Sequence, residues 1–286
     1  MATTRVLKTL SFDGHTDRVN CVRWVSENVF LSSSVDKSII VWMRHGECSI
    51  KDNYKPISKL QGHSASVTSA DAIILANGNL LVVSVSGDSS MKIWCCENVI
   101  NNFDEVKTSC LQTVQFKGGS FALDVRMTSL PNVMASFHNE AENALIAVSM
   151  DSCKVDLYGP QKKDILLNQE DGHFTHVHSL VGHEDWVQCV DVLHHSGVLW
   201  IATGGQDNLI RVWKISPVSK EVLLEDQRRV KDLLPDEEIK LTETIFRVGD
   251  ETKEHDAKYF SVRVETILSG HEDKVFGLQW SISDNA

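Results

Sequence analysis

The stretch SSSVDKSIIVW, residues 32–42, sets Asp36 between two strand-like runs and closes the second run with Trp42. Standing once, Asp36 would be an ordinary turn residue, because Asp tolerates turn backbone and bonds to neighbouring amides. It does not stand once. The arrangement returns as VSVSGDSSMKIW, with Asp88 and Trp94, and as IATGGQDNLIRVW, with Asp207 and Trp213, and in all three the Trp lies six residues after the Asp. Upstream of each is a Gly-His pair, Gly14-His15, Gly62-His63 and Gly182-His183, and a further pair, Gly270-His271, comes near the end. Self-similarity at a fixed period is the signature of a repeat architecture.

Between each Gly-His and its Asp lie two short apolar runs, and a third lies between Asp and Trp: VNCVRW, VFLSSS and SIIVW in the first unit, WVQCVDV, LWIATGG and LIRVW in the fourth. Their length and their Val, Ile and Leu content mark them as strands. One more strand-like piece precedes each Gly-His, as in VLKTLSF, PISKLQ, THVHSLV and VRVETILS. Four strands per unit make the blade of a β-propeller. The fold expected is therefore all-β, an incomplete propeller arc of about four four-stranded blades with an orphan strand at each end. The units run over about 5–42, 56–94, 110–158 and 175–213, with the start of a fifth at 261–281. The third unit is degenerate: FKGGSFALDV replaces the Gly-His entry, Leu157 takes the Trp position and Asp151 is left alone. A charged insert, 216–260, separates the third and fourth strands of the fourth unit; it is expected as a solvated loop with a helical piece around 219–234, or alternatively as a docking element. Because propellers close their rings, an open arc implies further blades at one or both ends.

The meander explains the acid. The loop before the first strand and the turn between the second and third lie at one end of a blade, so His15 can meet Asp36. Trp42 points between blades, where its indole N–H needs an acceptor. A chain from Asp through His and a second-strand hydroxyl such as Ser33 or Ser34 to Trp would satisfy groups that each cost about 1–3 kcal/mol when buried unpaired. His15, Asp36, Trp42, His63, Asp88, Trp94, His183, Asp207, Trp213 and His271 are thus expected to be structural staples.

With 42% hydrophobic and 23% charged residues the composition is that of an ordinary globular chain. A net charge of -11 disfavours a protein that grips nucleic acid through many cations. No signal-peptide core and no run of about 20 apolar residues is present, and the 7 cysteines form no C-x-x-C pair. An intracellular place, cytoplasmic and also nuclear, and no membrane contact are expected.

The search for chemistry finds little. HFTHVHSLVGH gathers His173, His176, His178 and His183, but His183 is engaged by the Asp207 staple and no carboxylate or Cys completes a zinc spacing. GHEDW and GHEDK lack the second His of a zinc-protease helix, and neither a phosphate loop nor a G-x-S-x-G elbow occurs. A catalytic residue, a metal and a cofactor are each expected to be absent. On the innermost strands Asp71, Asp124 and Asp191 are the acids, with no His beside them, which weakens the reading as a small-molecule-binding or hydrolytic propeller. Trp186 has Arg18 and Ser66 as its counterparts in the first two units and stands at the channel rim, where an aromatic is either an interface anchor or packing between first strands.

The repeated Gly-His and Asp-x5-Trp units resemble the WD-repeat family, although Met43, Cys95 and Lys214 follow the Trp where that family usually has Asp. The order of the units, from DGHTDRVNCVRW through FALDV and VGHEDWVQCVDV to the insert ending in VETILSGHED, is further similar to two-propeller scaffold subunits of the complex that modifies wobble uridines of transfer RNA. That resemblance implies a noncatalytic scaffold whose partners are the other protein subunits, with transfer RNA touched at most indirectly and no small-molecule substrate. Candidate partner-binding residues are Glu184, Asp185 and Trp186 at one end of the blades, and Arg228, Arg229, Lys231, Glu237 and Glu238 in the insert. The alternative within the same class is another WD-repeat adaptor, a ubiquitin-ligase substrate receptor or chromatin-complex subunit.

Overall fold

Short apolar runs separated by tight turns pair as antiparallel meanders. The computed structural model describes residues 11–44, 54–100, 105–130, 144–160, 174–219, 243–249 and 258–281. Four sheets result. The first holds β1 (Val19–Trp24), β2 (Val29–Ser34), β3 (Ser38–Arg44) and β4 (Tyr54–Gln61), in that order. The second holds β5 (Val67–Ile74), β6 (Leu80–Ser86), β7 (Ser90–Glu97) and β8 (Lys107–Gln115). The third holds β9 (Ala122–Ser129), β10 (Ala144–Met150), β11 (Lys154–Pro160) and β12 (Phe174–Val181). The fourth begins with β13 (Val187–His195), β14 (Val198–Gly205) and β15 (Ile210–Val218), and continues through β17 (Lys258–Leu268) to β16 (Glu243–Val248).

The molecule is an incomplete propeller: β1, β5, β9 and β13 pack against one another in succession as the inner strands. Its cores lie between blades. Leu31, Val41 and Leu60 of the first blade meet Val67, Val82 and Trp94 of the second, and equivalent clusters join the second blade to the third and the third to the fourth. A blade covered on both faces has no solvent side, and so β6 and β10 are buried at every residue; β2 is buried as well, with Phe12 and Trp42 packed on its Phe30. The inner-strand residue Val22 is 56% exposed, whereas its counterparts Ala70, Val125 and Val190 are at most 1% exposed, because no described sheet covers that face of the first blade.

The insert differs from expectation. Three of its parts are strand: β15 continues to Val218, β16 adds a fifth strand outside β17, and β17 itself begins at Lys258. Phe246 of β16 stacks on His178 of β12 at 5.3 Å, Thr244 Oγ1 lies 3.2 Å from His178 Nε2, and Val248 packs close to Gly159. The apolar alternation of TIFRV gives the strand a face to bury, and β12 supplies the surface. The helical piece expected at 219–234 lies, beyond residue 219, outside the described residues.

Each staple is a continuous path. In the first blade Trp42 Nε1 donates to Ser32 Oγ at 2.8 Å, Ser32 Oγ lies 2.8 Å from His15 Nε2, and His15 Nδ1 lies 3.0 Å from Asp36. An ionised carboxylate only accepts, so Nδ1 carries the proton and Nε2 accepts from the hydroxyl. The path repeats as Trp94–Ser84–His63–Asp88 and as Trp213–Thr203–His183–Asp207, with every step between 2.8 and 3.0 Å. The hydroxyl is Ser32, not Ser33 or Ser34. Ser33 points to the opposite face of β2 and its Oγ has no partner, while Ser34 bonds the Asp17 carbonyl and the Asp36 amide. After each Asp the chain turns through the left-handed region, at Lys37 (φ 69°), Ser89 (φ 61°) and Asn208 (φ 64°). The Gly of each of the three stapled Gly-His pairs packs against the Trp ring, so that a Cβ on Gly14 would come within 2.9 Å of Trp42, whereas Gly270 has open space around it. His271 is exposed and makes no hydrogen bond among the described residues.

In the third blade Asp151 is not idle. Its carboxylate accepts the Phe121 amide at 3.2 Å, and its own amide donates to the Phe121 carbonyl at 3.1 Å. Leu157 is fully buried in the Trp position. Asp207→Ala is therefore expected to lower stability by about 1–3 kcal/mol by orphaning His183 and the amides of Glu184 and Leu209, and Asp151→Ala to cost less. Urea unfolding of the two variants compares them, and equal losses would contradict the staple.

Burial opposes ionisation of Asp88, but the Ser90 hydroxyl, the Ser64 amide and His63 more than offset it and hold the carboxyl at about 2. Asp36 and Asp207 shift in the same direction against the same burial. A depressed acid stabilises the fold above its unfolded pKa, and that contribution is lost as pH falls through the folded value. Unfolding midpoints should thus drop from about pH 4 toward pH 2, and Asp88→Asn should flatten part of that slope. An unchanged slope in Asp88→Asn would remove Asp88 from the account.

Candidate functional site: the channel wall and its rim

The inner strands bring together a polar column that sequence reading saw only in part. Counting from the first inner-strand residue, the fifth position is Arg23 in β1, Asp71 in β5, Arg126 in β9 and Asp191 in β13. Charge therefore alternates from blade to blade. Arg126 Nε donates to Asp191 at 3.1 Å and its Nη1 to Asp124 at 2.8 Å, while Arg23 Nη2 lies 3.7 Å from Asp124. The acids also stitch backbone. Asp71 accepts the Met127 amide and Asp124 the Val190 amide, each on the next inner strand, at 2.9 and 3.2 Å, and Asp191 accepts the Trp280 amide of the segment after β17 at 2.7 Å.

Burial raises Asp71 to about 6 in spite of Arg126 and Arg23. Burial works against the charge of Arg126, yet Asp124, Asp71 and Asp191 together raise its pKa above the ordinary value. The three acids that could have received a ligand in the channel are thus spent on neighbouring blades. Sequence reading picked out the acids and missed Arg23 and Arg126. The missing signal was the repeat column, in which Arg and Asp take turns.

The histidine cluster does not converge. His176 contacts Ser179 and Asp156, His178 stacks on Phe246, and His183 is in its staple; His173 lies outside the described residues. Among the described residues no group of His, Cys, Asp and Glu could hold a metal ion. No helix among them is long and apolar enough to cross a membrane.

Glu184, Asp185 and Trp186 are exposed on the loop between β12 and β13. Asp185 caps the Trp186 amide at 2.7 Å, the Trp186 carbonyl accepts the Gln206 amide at 2.8 Å, and the indole meets Phe121 edge-to-face at 6.0 Å. Arg228, Arg229, Lys231, Glu237 and Glu238 lie outside the described residues.

Arg126→Leu leaves buried acids without their cation and should cost about 3–5 kcal/mol. Adding Asp191→Asn should recover part of that loss, so that the double variant is more stable than the two single losses predict. A urea double-mutant cycle measures this, and strict additivity would show that the two side chains act independently.

The WD domain, G-beta repeat family matches residues 5–43, 54–95 and 174–214, and its matches skip the blade that lacks the His and Trp. Along the chain the sequence is 34% identical over 272 residues to Elongator complex protein 2 of Danio rerio, covering 93% of this chain and 28% of that protein. Elongator complex protein 2 of Drosophila melanogaster is 32% identical over 268 residues, covering 93% and 30%, and that of Homo sapiens 29% over 283 residues, covering 94% and 29%. The chain spans between 28% and 30% of the length of these relatives. It is an incomplete WD-repeat β-propeller, similar over nearly its whole length to Elongator complex protein 2.

Proposed function

We propose that this chain belongs to a noncatalytic scaffold subunit of Elongator, which supports modification of transfer-RNA wobble uridines through protein–protein contacts. The observation that carries the reading is the similarity to Elongator complex protein 2 along 93% of the chain. The side-chain chemistry supports it. The His–Asp pairs, which could pass for parts of a catalytic triad, have both imidazole nitrogens engaged with a carboxylate and a buried hydroxyl, and the same pair recurs in three blades. A triad needs an accessible nucleophile at that nitrogen. The channel acids are likewise engaged with arginine and backbone amides. What remains free is rim and loop surface, which suits a protein partner. The partners are other Elongator subunits, transfer RNA is reached through them, and the place of action is the cytoplasm, with the nucleus as a second location.

Affinity purification of the tagged chain from cells, read by mass spectrometry, tests the proposal. The expected result is recovery of other Elongator subunits. Recovery of cullin-ligase or histone-modifying subunits in their place would overturn it in favour of another WD-repeat adaptor.

A further inference from the structure

The residue immediately before each inner strand forms a second column, around the channel mouth: Arg18, Ser66, Phe121 and Trp186. Two consecutive blades place aromatics there, and the two rings meet edge-to-face, 88° apart. Trp24 and Phe276 are also exposed, but Trp24 lies on the first blade and Phe276 in the segment after β17, where no further described sheet covers them. Trp186 is 40% exposed although it sits between two complete blades, so a missing neighbour does not account for it.

The backbone under the pair is fixed. The reciprocal bonds with Asp151 hold Phe121, and Asp185 and Gln206 hold Trp186. Beside Phe121, Gly118 and Gly119 have open space where side chains would stand. The residues just before the indole are acidic: the Glu184 carboxylate has no partner among the described residues, and one Asp185 oxygen is free. Lys117 is the nearest cation along the loop that carries Phe121, and among the described residues no cation lies over the Trp186 ring.

A rigid exposed indole beside unpaired carboxylates has the chemistry that receives a guanidinium, which stacks on the ring and donates to the acids. We propose that Phe121, Trp186 and Glu184 form a docking site for an arginine side chain of a partner polypeptide. The proposal rests on the scaffold reading above and names one contact through which it works. Fixing the two rings in advance lowers the ordering cost of binding.

The test titrates the full chain, labelled at its tryptophans, with a short Gly/Ser peptide bearing one central arginine, and with its citrulline and norleucine analogues. The Trp186 indole resonance is identified by its loss in Trp186→Leu. The arginine peptide should shift it saturably, about fivefold or more tighter than the citrulline peptide, and norleucine should leave it unmoved. Phe121→Leu and Glu184→Gln should each weaken the arginine peptide by about threefold or more while leaving the unfolding midpoint near that of the parent. Equal shifts with citrulline or norleucine, or an unmoved Trp186, would overturn the site. Failure of the peptide with Elongator subunits still recovered sinks this inference alone; peptide binding without their recovery sinks the Elongator assignment and leaves the arginine site standing.

Discussion

The path from a buried indole through a hydroxyl and an imidazole to a carboxylate is what the rest of the propeller hangs on. Each member solves a problem set by another. The Trp fills space between blades but brings an N–H into an apolar core; the hydroxyl accepts it and then needs an acceptor of its own; the imidazole supplies that and needs a partner for its second nitrogen. Asp36, Asp88 and Asp207 end the chain at the surface, where they also collect the backbone amides of Thr16, Ser64 and Glu184. One carboxylate thereby fixes the turn between two strands, the loop entering the blade and the rotamer of a core aromatic. Four groups that would each be a liability in isolation become a cooperative unit.

The staple was legible in sequence because all of it repeats at fixed spacing. Asp and Trp stand six apart, Gly and His are adjacent, and the meander brings the two pairs to one end of the blade. The hydroxyl was less legible: three serines in a row occupy β2, and only the strand register, with Ser32 opposite Ile40 and Phe30 opposite Trp42, tells which of them shares the face of the indole. The charge column was legible in half. An acid on an inner strand is conspicuous, but an Arg in the same column reads as solvated until the blades are set side by side. The strand β16 was hidden by its surroundings, since six residues of alternating character inside a long charged insert look like loop, and what makes them a strand is the tertiary surface of β12.

Two radii of the molecule are stabilised by different physics. Between blades the second and third strands bury aliphatic side chains, a non-directional contribution that tolerates substitution of similar volume. At the inner strands, which also contribute to these cores, polar and directional contacts are added. There Arg126 meets Asp124 of its own strand and Asp191 of the next blade, and Arg23 of the first blade reaches Asp124 of the third, so that burial is offset without an outside ion.

The third blade shows how these devices exchange. It has lost His and Trp, and it is the blade braced at three other places: at the channel by Arg126 and Asp124, at the top by the reciprocal bonds between Asp151 and Phe121, and at the outer rim by β16 through His178 and Gly159. A His in the entry loop would have to reach down to the second strand, and it would commit the loop to that geometry. Without it, the carboxylate of Asp151 grips the backbone of Phe121 instead of an imidazole, and the side chain of that residue is released to the rim, where it meets Trp186 of the next blade. Losing the staple and gaining an aromatic pair at the rim are thus one structural event. The blade that departs furthest from the repeat is the one that gives the channel mouth a surface its regular neighbours do not have.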